Sequence, residues 1–138
     1  MYWKILSIAI PLILLSGCSI PEFYLDIHYP TLVNVNESLP IDVFVTNARI
    51  GTVVHIESIQ LTGELAQNSK LVPGRNGLYS KPLGSEVIFS EPNRRLTQFE
   101  TGNFSVTLKP VKPGIFHSTF IFVVNGNQID RDIAVEVK

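Results

Sequence analysis

The chain of 138 residues contains a single cysteine, Cys18, and its thiol is the group best suited to covalent chemistry. A thiol is alkylated more readily than any other side chain at such a position, and the lack of a second cysteine excludes an internal disulfide. The small residues Ser16 and Gly17 precede Cys18 and leave the backbone accessible to a processing enzyme. The pattern therefore indicates covalent modification of Cys18.

The three histidines are the next candidates, since imidazole is a common metal ligand. His28, His55 and His117 each lie in a segment where polar and apolar residues alternate. They lack the i, i+2 or i, i+4 spacing that would bring two of them together locally. We therefore expect solvent-facing histidines, and we predict no metal site and no other cofactor.

Carboxylates in the second half of the chain would support acid–base catalysis only within a shared cleft. Glu86, Glu91 and Glu100 lie in or near one turn-rich segment, and their spacing does not establish a cleft. In residues 130–132, two aspartates share one face of a strand while Arg131 shares the parity of the apolar residues. We interpret this charged cluster as protection of a sheet edge. Motifs of hydrolases, nucleotide-binding enzymes and zinc proteases are absent, and we predict no catalytic residues and no enzymatic activity.

An apolar run precedes Cys18 and has the form of an export signal. Residues 5–15 are interrupted only by Ser7 and Pro11, and Lys4 stands before them. A helix of this length, at about 1.5 Å per residue, is much shorter than the ~30 Å hydrocarbon core of a bilayer. A signal peptide consists of a positively charged N-terminal region, a short apolar stretch and small residues before the cleavage site. We therefore predict that residues 1–17 are a cleaved signal peptide.

Residues 15–18, Leu-Ser-Gly-Cys, resemble the lipobox of bacterial lipoproteins, which reads Leu, Ala or Ser, Gly or Ala, and Cys. The resemblance implies a diacylglyceryl thioether on Cys18, cleavage between Gly17 and Cys18, and acylation of the new amine, for example with palmitate. Residues 18–22 would then be a lipidated tether to the membrane, held stably because each buried methylene contributes about 0.8 kcal/mol. By the same resemblance, Ser19 favours the outer membrane of a Gram-negative envelope, with the domain facing the periplasm or the cell surface.

The composition is typical of one globular domain. Hydrophobic residues make up 45% of the chain, charged residues 17%, and the net charge is −1. Nucleic-acid-binding proteins concentrate basic residues on one surface, and no such concentration occurs here, so we expect no nucleic-acid partner. We assign residues 23–138 to a single domain that its core alone must stabilise.

Alternation of apolar and polar residues after residue 22 indicates β-strands rather than helices. It covers residues 23–29, 41–46, 104–109 and 129–137. In residues 52–61 the apolar positions change parity, which predicts a bulge near Glu57 and Ser58. Asn125 and Gly126 separate two alternating segments and predict a type I′ hairpin turn. Seven or eight strands with little or no helix predict an all-β, antiparallel β-sandwich.

Residues 105–126 resemble the corner between strands E and F of immunoglobulin-like domains. A proline-containing loop there precedes a Gly-x-aromatic start of the next strand, a pattern that Pro113, Gly114 and Phe116 supply. The intersheet cysteine pair is absent and the sole tryptophan, Trp3, lies in the signal peptide. The resemblance is thus to bacterial immunoglobulin-like modules, and it implies an immunoglobulin-like β-sandwich after the cleaved signal.

The turn-rich segment 63–102 is either a long loop or a set of short edge strands. Only residues 86–90, and a short piece near residues 78–80, have the pattern of a strand there.

We expect a membrane-anchored envelope lipoprotein whose domain is a binding or assembly module for an envelope protein. Its contact surface would be segment 63–102 or an exposed strand edge. The alternative is a lipoprotein that binds a small ligand or polysaccharide in a groove lined by Tyr79, Phe89 and Phe99, and an enzyme of unfamiliar type is a third possibility.

Overall fold

A computed structural model describes residues 21–74, 78–82 and 85–138. The predicted signal peptide, the cleavage site between Gly17 and Cys18, and the first residues of the tether lie outside this described part, and the predictions about them stay predictions. Within the described ranges, no helix combines the length and apolar character needed to cross a bilayer.

Eleven strands and one short helix make up the regular structure of the described residues. They are β1 (Phe23–His28), β2 (Leu32–Val33), β3 (Leu39–Asn47), β4 (Val54–Gly63), α1 (Glu64–Gln67), β5 (Ser69–Val72), β6 (Ile88–Ser90), β7 (Arg94–Leu96), β8 (Thr101–Asn103), β9 (Val106–Pro110), β10 (Gly114–Val124) and β11 (Asn127–Val137). The sequence predicts seven or eight strands. The difference comes from β2, β5, β7 and β8, which are too short to show alternation.

The strands form two sheets. The first has the order β1-β3-β9-β5, with β8 pairing with β3 next to β9, and all its pairs are antiparallel. The second has the order β2-β11-β10-β4-β6, with β7 also pairing with β4. Its pairs are antiparallel except for β2 with β11, which is parallel. The predicted all-β sandwich is confirmed, with this one parallel pair as a departure from an antiparallel pattern.

A single hydrophobic core lies between the sheets. Along β3, Leu39, Ile41, Val43 and Val45 are fully buried and alternate with more exposed residues, as the sequence predicts. The second sheet contributes β10, where alternate residues are likewise buried. Because apolar side chains leave water on both inner faces, burial of this core is the main source of stability.

Two local predictions are confirmed. On β4, Ser58 pairs with Val123 and Ile56 pairs with Val124, so Glu57 is the extra residue of a β-bulge. The turn between β10 and β11 has positive φ angles at Asn125 (51°) and Gly126 (78°), as a type I′ turn requires.

The described parts of segment 63–102 are short edge elements rather than one long loop. Helix α1 and strands β5 to β8 all fall within it. The predicted strand at residues 86–90 is observed as β6, and the predicted piece near residues 78–80 is a single bridge between Ser80 and Phe89. Strands β5, β7 and β8 have no alternation long enough to be recognised in the sequence.

Candidate functional site

The edges of the two sheets are the places where this fold can bind another polypeptide by backbone hydrogen bonds. Natural proteins usually cover or charge such edges, because an open edge pairs with any extended chain. The first sheet ends at β1 on one side and at β5 and β8 on the other, and the second ends at β2 with β11 and at β6 with β7. What covers each edge therefore decides whether it is available.

The start of the β5 edge is covered by a lysine side chain. Lys81 Nζ donates 2.6 Å hydrogen bonds to the backbone carbonyl oxygens of Ala66 and Ser69. Partial burial of the ammonium group lowers the pKa of Lys81. The Lys81 ammonium group therefore occupies the carbonyl oxygen of Ser69, a backbone acceptor at the start of β5.

The β6 and β7 side of the second sheet is also occupied or charged. Ser80 and Phe89 exchange two backbone hydrogen bonds, of 2.8 and 2.9 Å, along the outer side of β6. Strand β7 has three residues, two of which are the exposed Arg94 and Arg95. A short edge with charged side chains is a poor template for strand addition.

The β11 edge is covered along its second half and charged along its first. Strand β2 pairs with Glu136 and Val137, and the backbone N–H of Ala134 donates to the Tyr29 hydroxyl at 3.4 Å. Nearer the start of β11, Arg131 Nη1 donates a 3.0 Å hydrogen bond to the backbone carbonyl oxygen of Asp130. Since this oxygen is an edge acceptor, the bond agrees with the edge protection predicted for residues 130–132.

Strand β1 has no such cover among the residues that the structure describes. All six of its residues pair with β3, from Phe23 opposite Asn47 to His28 opposite Asp42. The carbonyl oxygen of Glu22 accepts a hydrogen bond from the N–H of Ala48 on the β3 side. By alternation, the even-numbered residues bond towards β3, and the backbone groups of residues 23, 25 and 27 point away from the sheet.

The side chains of β1 make this edge apolar. Phe23, Leu25 and Ile27 are half-buried and pack against the core, while Tyr24 is 54% exposed on the outer face. The strand contains no lysine, arginine or proline, which are the residues that commonly protect edges. The outer edge of β1, residues 23–28, is therefore the candidate functional site, and we call it the open edge.

The histidines do not converge. His28 lies on β1 in the first sheet, whereas His55 and His117 lie on β4 and β10 in the second. His28 contacts the Phe44 ring edge-on at 6.2 Å between centroids, and the His55 imidazole is hydrogen-bonded to Asn93. No group of three or more potential metal ligands comes together within the described ranges.

The glutamates are also dispersed. Glu86 accepts a hydrogen bond from Gln67, Glu91 is exposed, and Glu100 forms an ion pair with Arg94 at 3.1 Å. The described residues thus do not place these three carboxylates in one cleft.

The aromatic groove of the alternative prediction is not formed by the three residues named for it. Tyr79 is buried and its hydroxyl donates to the backbone carbonyl oxygen of Phe104, and burial raises the pKa of this phenol. Phe89 is half-buried on β6, and Phe99 is 58% exposed in a turn. A cavity of about 400 Å³ beside β8 and β9 is lined by Tyr79 but by neither phenylalanine. Among the described residues that line this cavity, Arg94 is the only charged one, and it is paired with Glu100.

No protein-family model and no curated protein matches this chain. Several solved structures share its fold. The CARDB domain of a Pyrococcus furiosus protein, solved in complex with di-metal ions, aligns with a TM-score of 0.56 and 17% identity over 87% of this chain and 90% of that one.

Two further structures align over similar shares of the chain. The sporulation control protein Spo0M of Bacillus subtilis has a TM-score of 0.53 and 12% identity over 86% of this chain and 50% of that one. The cupredoxin domain of amoB from Nitrosocaldus yellowstonii has a TM-score of 0.50 and 8% identity over 87% and 89%. At these identities the likeness establishes the fold. The chain is a β-sandwich of the immunoglobulin-like and cupredoxin-like class.

Proposed function

We propose that the protein is a lipid-anchored bacterial envelope lipoprotein whose domain binds an extended segment of another envelope protein along the open edge. The proposal is supported by the contrast between β1 and the edges at β5, β6, β7 and β11, where side chains or neighbouring segments occupy or charge the edge. An added strand would find outward-pointing backbone donors and acceptors at residues 23, 25 and 27. Main-chain hydrogen bonds supply affinity in this binding mode, and contacts with alternate side chains supply specificity.

The side-chain chemistry of the open edge supports a peptide rather than a polar ligand. Phe23, Leu25 and Ile27 present partly exposed apolar surface beside the backbone groups, so a bound strand with alternating apolar residues would bury them further. Asp26 is the one carboxylate on β1 and lies on the outer face, away from this apolar row. We propose a non-catalytic binding or assembly module without a bound cofactor.

The proposed anchor supports the envelope location of the partner. Cys18 stands five residues before the start of β1, and extended chain spans at most about 3.6 Å per residue, so the anchor and the open edge would lie within roughly 18 Å of each other. A partner that reaches β1 would then be another component of the same envelope, facing the periplasm or the cell surface.

The substitution Leu25→Lys tests the open edge. An inward-pointing charge on an edge strand prevents pairing in natural sheets. In the lipidated protein within its own membranes, we expect Leu25→Lys to reduce crosslinking to the partner by at least tenfold. The matched control is Ile129→Lys, because Ile129 is also half-buried against the core but lies in the first half of β11, where charged residues protect the edge. Equal crosslinking by wild type and Leu25→Lys would refute binding at β1.

The substitution Cys18→Ser tests the anchor separately. Serine lacks the nucleophilic thiol, so we expect no acylation, an uncleaved precursor and loss of the protein from the membrane fraction. Circular dichroism should show an unchanged β-domain. A Cys18→Ser protein that stays in the membrane fraction at the wild-type size would contradict the anchor.

A further inference from the structure

Three loops and the start of β1 lie at one end of the sandwich, which we call the anchor end. The loops are residues 48–53 between β3 and β4, residues 97–100 between β7 and β8, and the turn at residues 125–126. The N–H of Ala48 donates to the carbonyl oxygen of Glu22, and the N–H of Gly51 donates to Gln98 Oε1 at 3.3 Å. The chain therefore enters the domain beside the tips of these loops.

The anchor end exposes large apolar side chains on two separate loops. Ile50 is 74% exposed and Val53 49% exposed on the first loop, and Phe99 is 58% exposed on the second. The two loops are neighbours, and apolar side chains exposed on neighbouring loops are unfavourable in water and are typical of a contact surface. Asn47 at the end of β3 holds the two loops together. Its buried side-chain amide donates to the carbonyl oxygen of Thr52 in the first loop and to that of Leu96, which directly precedes the second loop.

The backbone holds Phe99 outwards at an energetic cost. Its φ angle is 59°, in the left-handed region that bulky residues rarely occupy. The turn around it is closed by a 3.0 Å hydrogen bond from the Glu100 N–H to the Thr97 carbonyl oxygen. Glycine or asparagine would suit this position better, and the exposed ring contributes little to the core. Such an outlier is the kind of feature that persists where the exposed group has a function.

We infer that the anchor end docks on the bilayer that holds Cys18, with Ile50, Val53 and Phe99 entering the boundary between headgroups and acyl chains. The inference rests on the lipid anchor proposed above. Cys18 stands four positions before Glu22, and an extended chain spans at most about 3.6 Å per position, so the lipidated residue would lie within roughly 14 Å of Glu22 at the anchor end. Apolar side chains this close to a lipid anchor can reach the membrane interface, where aromatic rings are favourable.

The electrostatics of the loops permit this contact. The carboxylate of Glu100, next to Phe99, is paired with Arg94 at 3.1 Å, so an uncompensated negative charge does not accompany the ring to the interface. Docking would also orient the domain. Strand β1 runs from the anchor end towards the opposite end, so the open edge would stand away from the bilayer and remain accessible to a partner.

Tryptophan fluorescence tests the docking, because the sole tryptophan, Trp3, lies in the predicted signal peptide. Phe99→Trp is placed in the lipidated protein, which is reconstituted in phosphatidylcholine–phosphatidylglycerol vesicles that contain lipids brominated along the acyl chains. The matched control is Ile115→Trp, since Ile115 is 64% exposed at the opposite end of the sandwich. We expect brominated lipids to quench Phe99→Trp at least twofold, with a blue-shifted emission, and to leave Ile115→Trp unquenched.

Vesicle flotation and the intact mass separate the two proposals. If the protein floats with a lipid on Cys18 and Phe99→Trp is no more quenched than Ile115→Trp, the docking inference is wrong and the anchor stands. If the protein carries no lipid and does not float, the anchor fails and the docking inference fails with it.

Discussion

The side-chain amide of Asn47 on β3 donates a 3.1 Å hydrogen bond to the backbone carbonyl oxygen of Leu96 on β7, and thereby joins the two sheets at the anchor end. The same amide nitrogen donates to the Thr52 carbonyl oxygen at 2.8 Å, and its oxygen accepts from the Arg49 N–H at 3.1 Å. Asn47 has no exposed surface. A buried polar side chain that meets its hydrogen-bonding needs in this way fixes the geometry around it. Asn47 therefore positions the loop that carries Ile50.

Asn47→Ala should destabilise the domain by about 2–4 kcal/mol. The substitution removes several hydrogen bonds and leaves buried backbone groups unsatisfied, at about 1–3 kcal/mol for each such group. Urea denaturation followed by circular dichroism measures the free energy of unfolding. The control is Asn34→Ala, since the Asn34 side chain is exposed and bonds to Glu37, and its effect should stay within about 0.5 kcal/mol. Equal stabilities of the two variants would show that the intersheet bond is not important.

Arg131→Ser should make the protein associate through its β11 edge. The serine is too short to cover the Asp130 carbonyl oxygen in the way that the guanidinium does, so an edge acceptor becomes available for strand pairing. Sedimentation velocity over a concentration series should show a dimer that the wild type does not form.

Lys109→Ser provides the control for loss of a positive charge. Lys109 lies exposed on β9, next to β5, where a neighbouring strand already pairs with it. We expect Lys109→Ser to behave as the wild type. If Lys109→Ser formed as much dimer as Arg131→Ser, the association would result from the loss of a positive charge and not from the uncovered edge.

The contribution of Glu100 to stability should depend on pH. Hydrogen bonds from the Thr97 backbone N–H, at 3.0 Å, and from Arg94 hold the pKa of the Glu100 carboxyl below its ordinary value of about 4.5. Because the folded state lowers this pKa, the stabilisation is fully present above pH 4.5 and is lost as the pH falls through the folded value. Wild type should therefore be more stable than Glu100→Gln at pH 7, and the two should converge in strongly acidic solution.

Thermal unfolding of both proteins between pH 7 and pH 2.5 measures this convergence. The effect is small because the carboxylate is at the surface and is screened by solvent. A stability difference that is constant over the whole range would contradict the proposed roles of Thr97 and Arg94.

Much of the sandwich is predictable because its long strands alternate. The burial of Ile41, Val43 and Val45 follows from period-two spacing, and the turn at residues 125–126 follows from an Asn-Gly pair whose φ angles are positive. The short strands β5, β7 and β8 are not predictable in this way. Three or four residues carry no usable period, and their pairing depends on long-range partners such as β4 and β9.

The candidate site is hidden from the sequence for a related reason. Which strand lies at an edge, and what covers it, depends on contacts between distant residues, such as Lys81 with Ser69. Two features of the sequence nevertheless point to the anchor end and to the open edge. Asn47 has the same parity as the buried Val45, which marks it as a polar residue on the core face, and β1 lacks the lysine, arginine or proline expected of a protected edge.

Site-specific photocrosslinking from β1 tests strand addition at the open edge. A photoreactive phenylalanine analogue replaces Tyr24, which is exposed beside the open edge, in the lipidated protein in its own membranes, with position 115 as the control site. We predict a crosslinked product of defined mass from position 24, absent from position 115 and lost on Leu25→Lys. The absence of a product from position 24, or the same product from both positions, would contradict binding at the open edge.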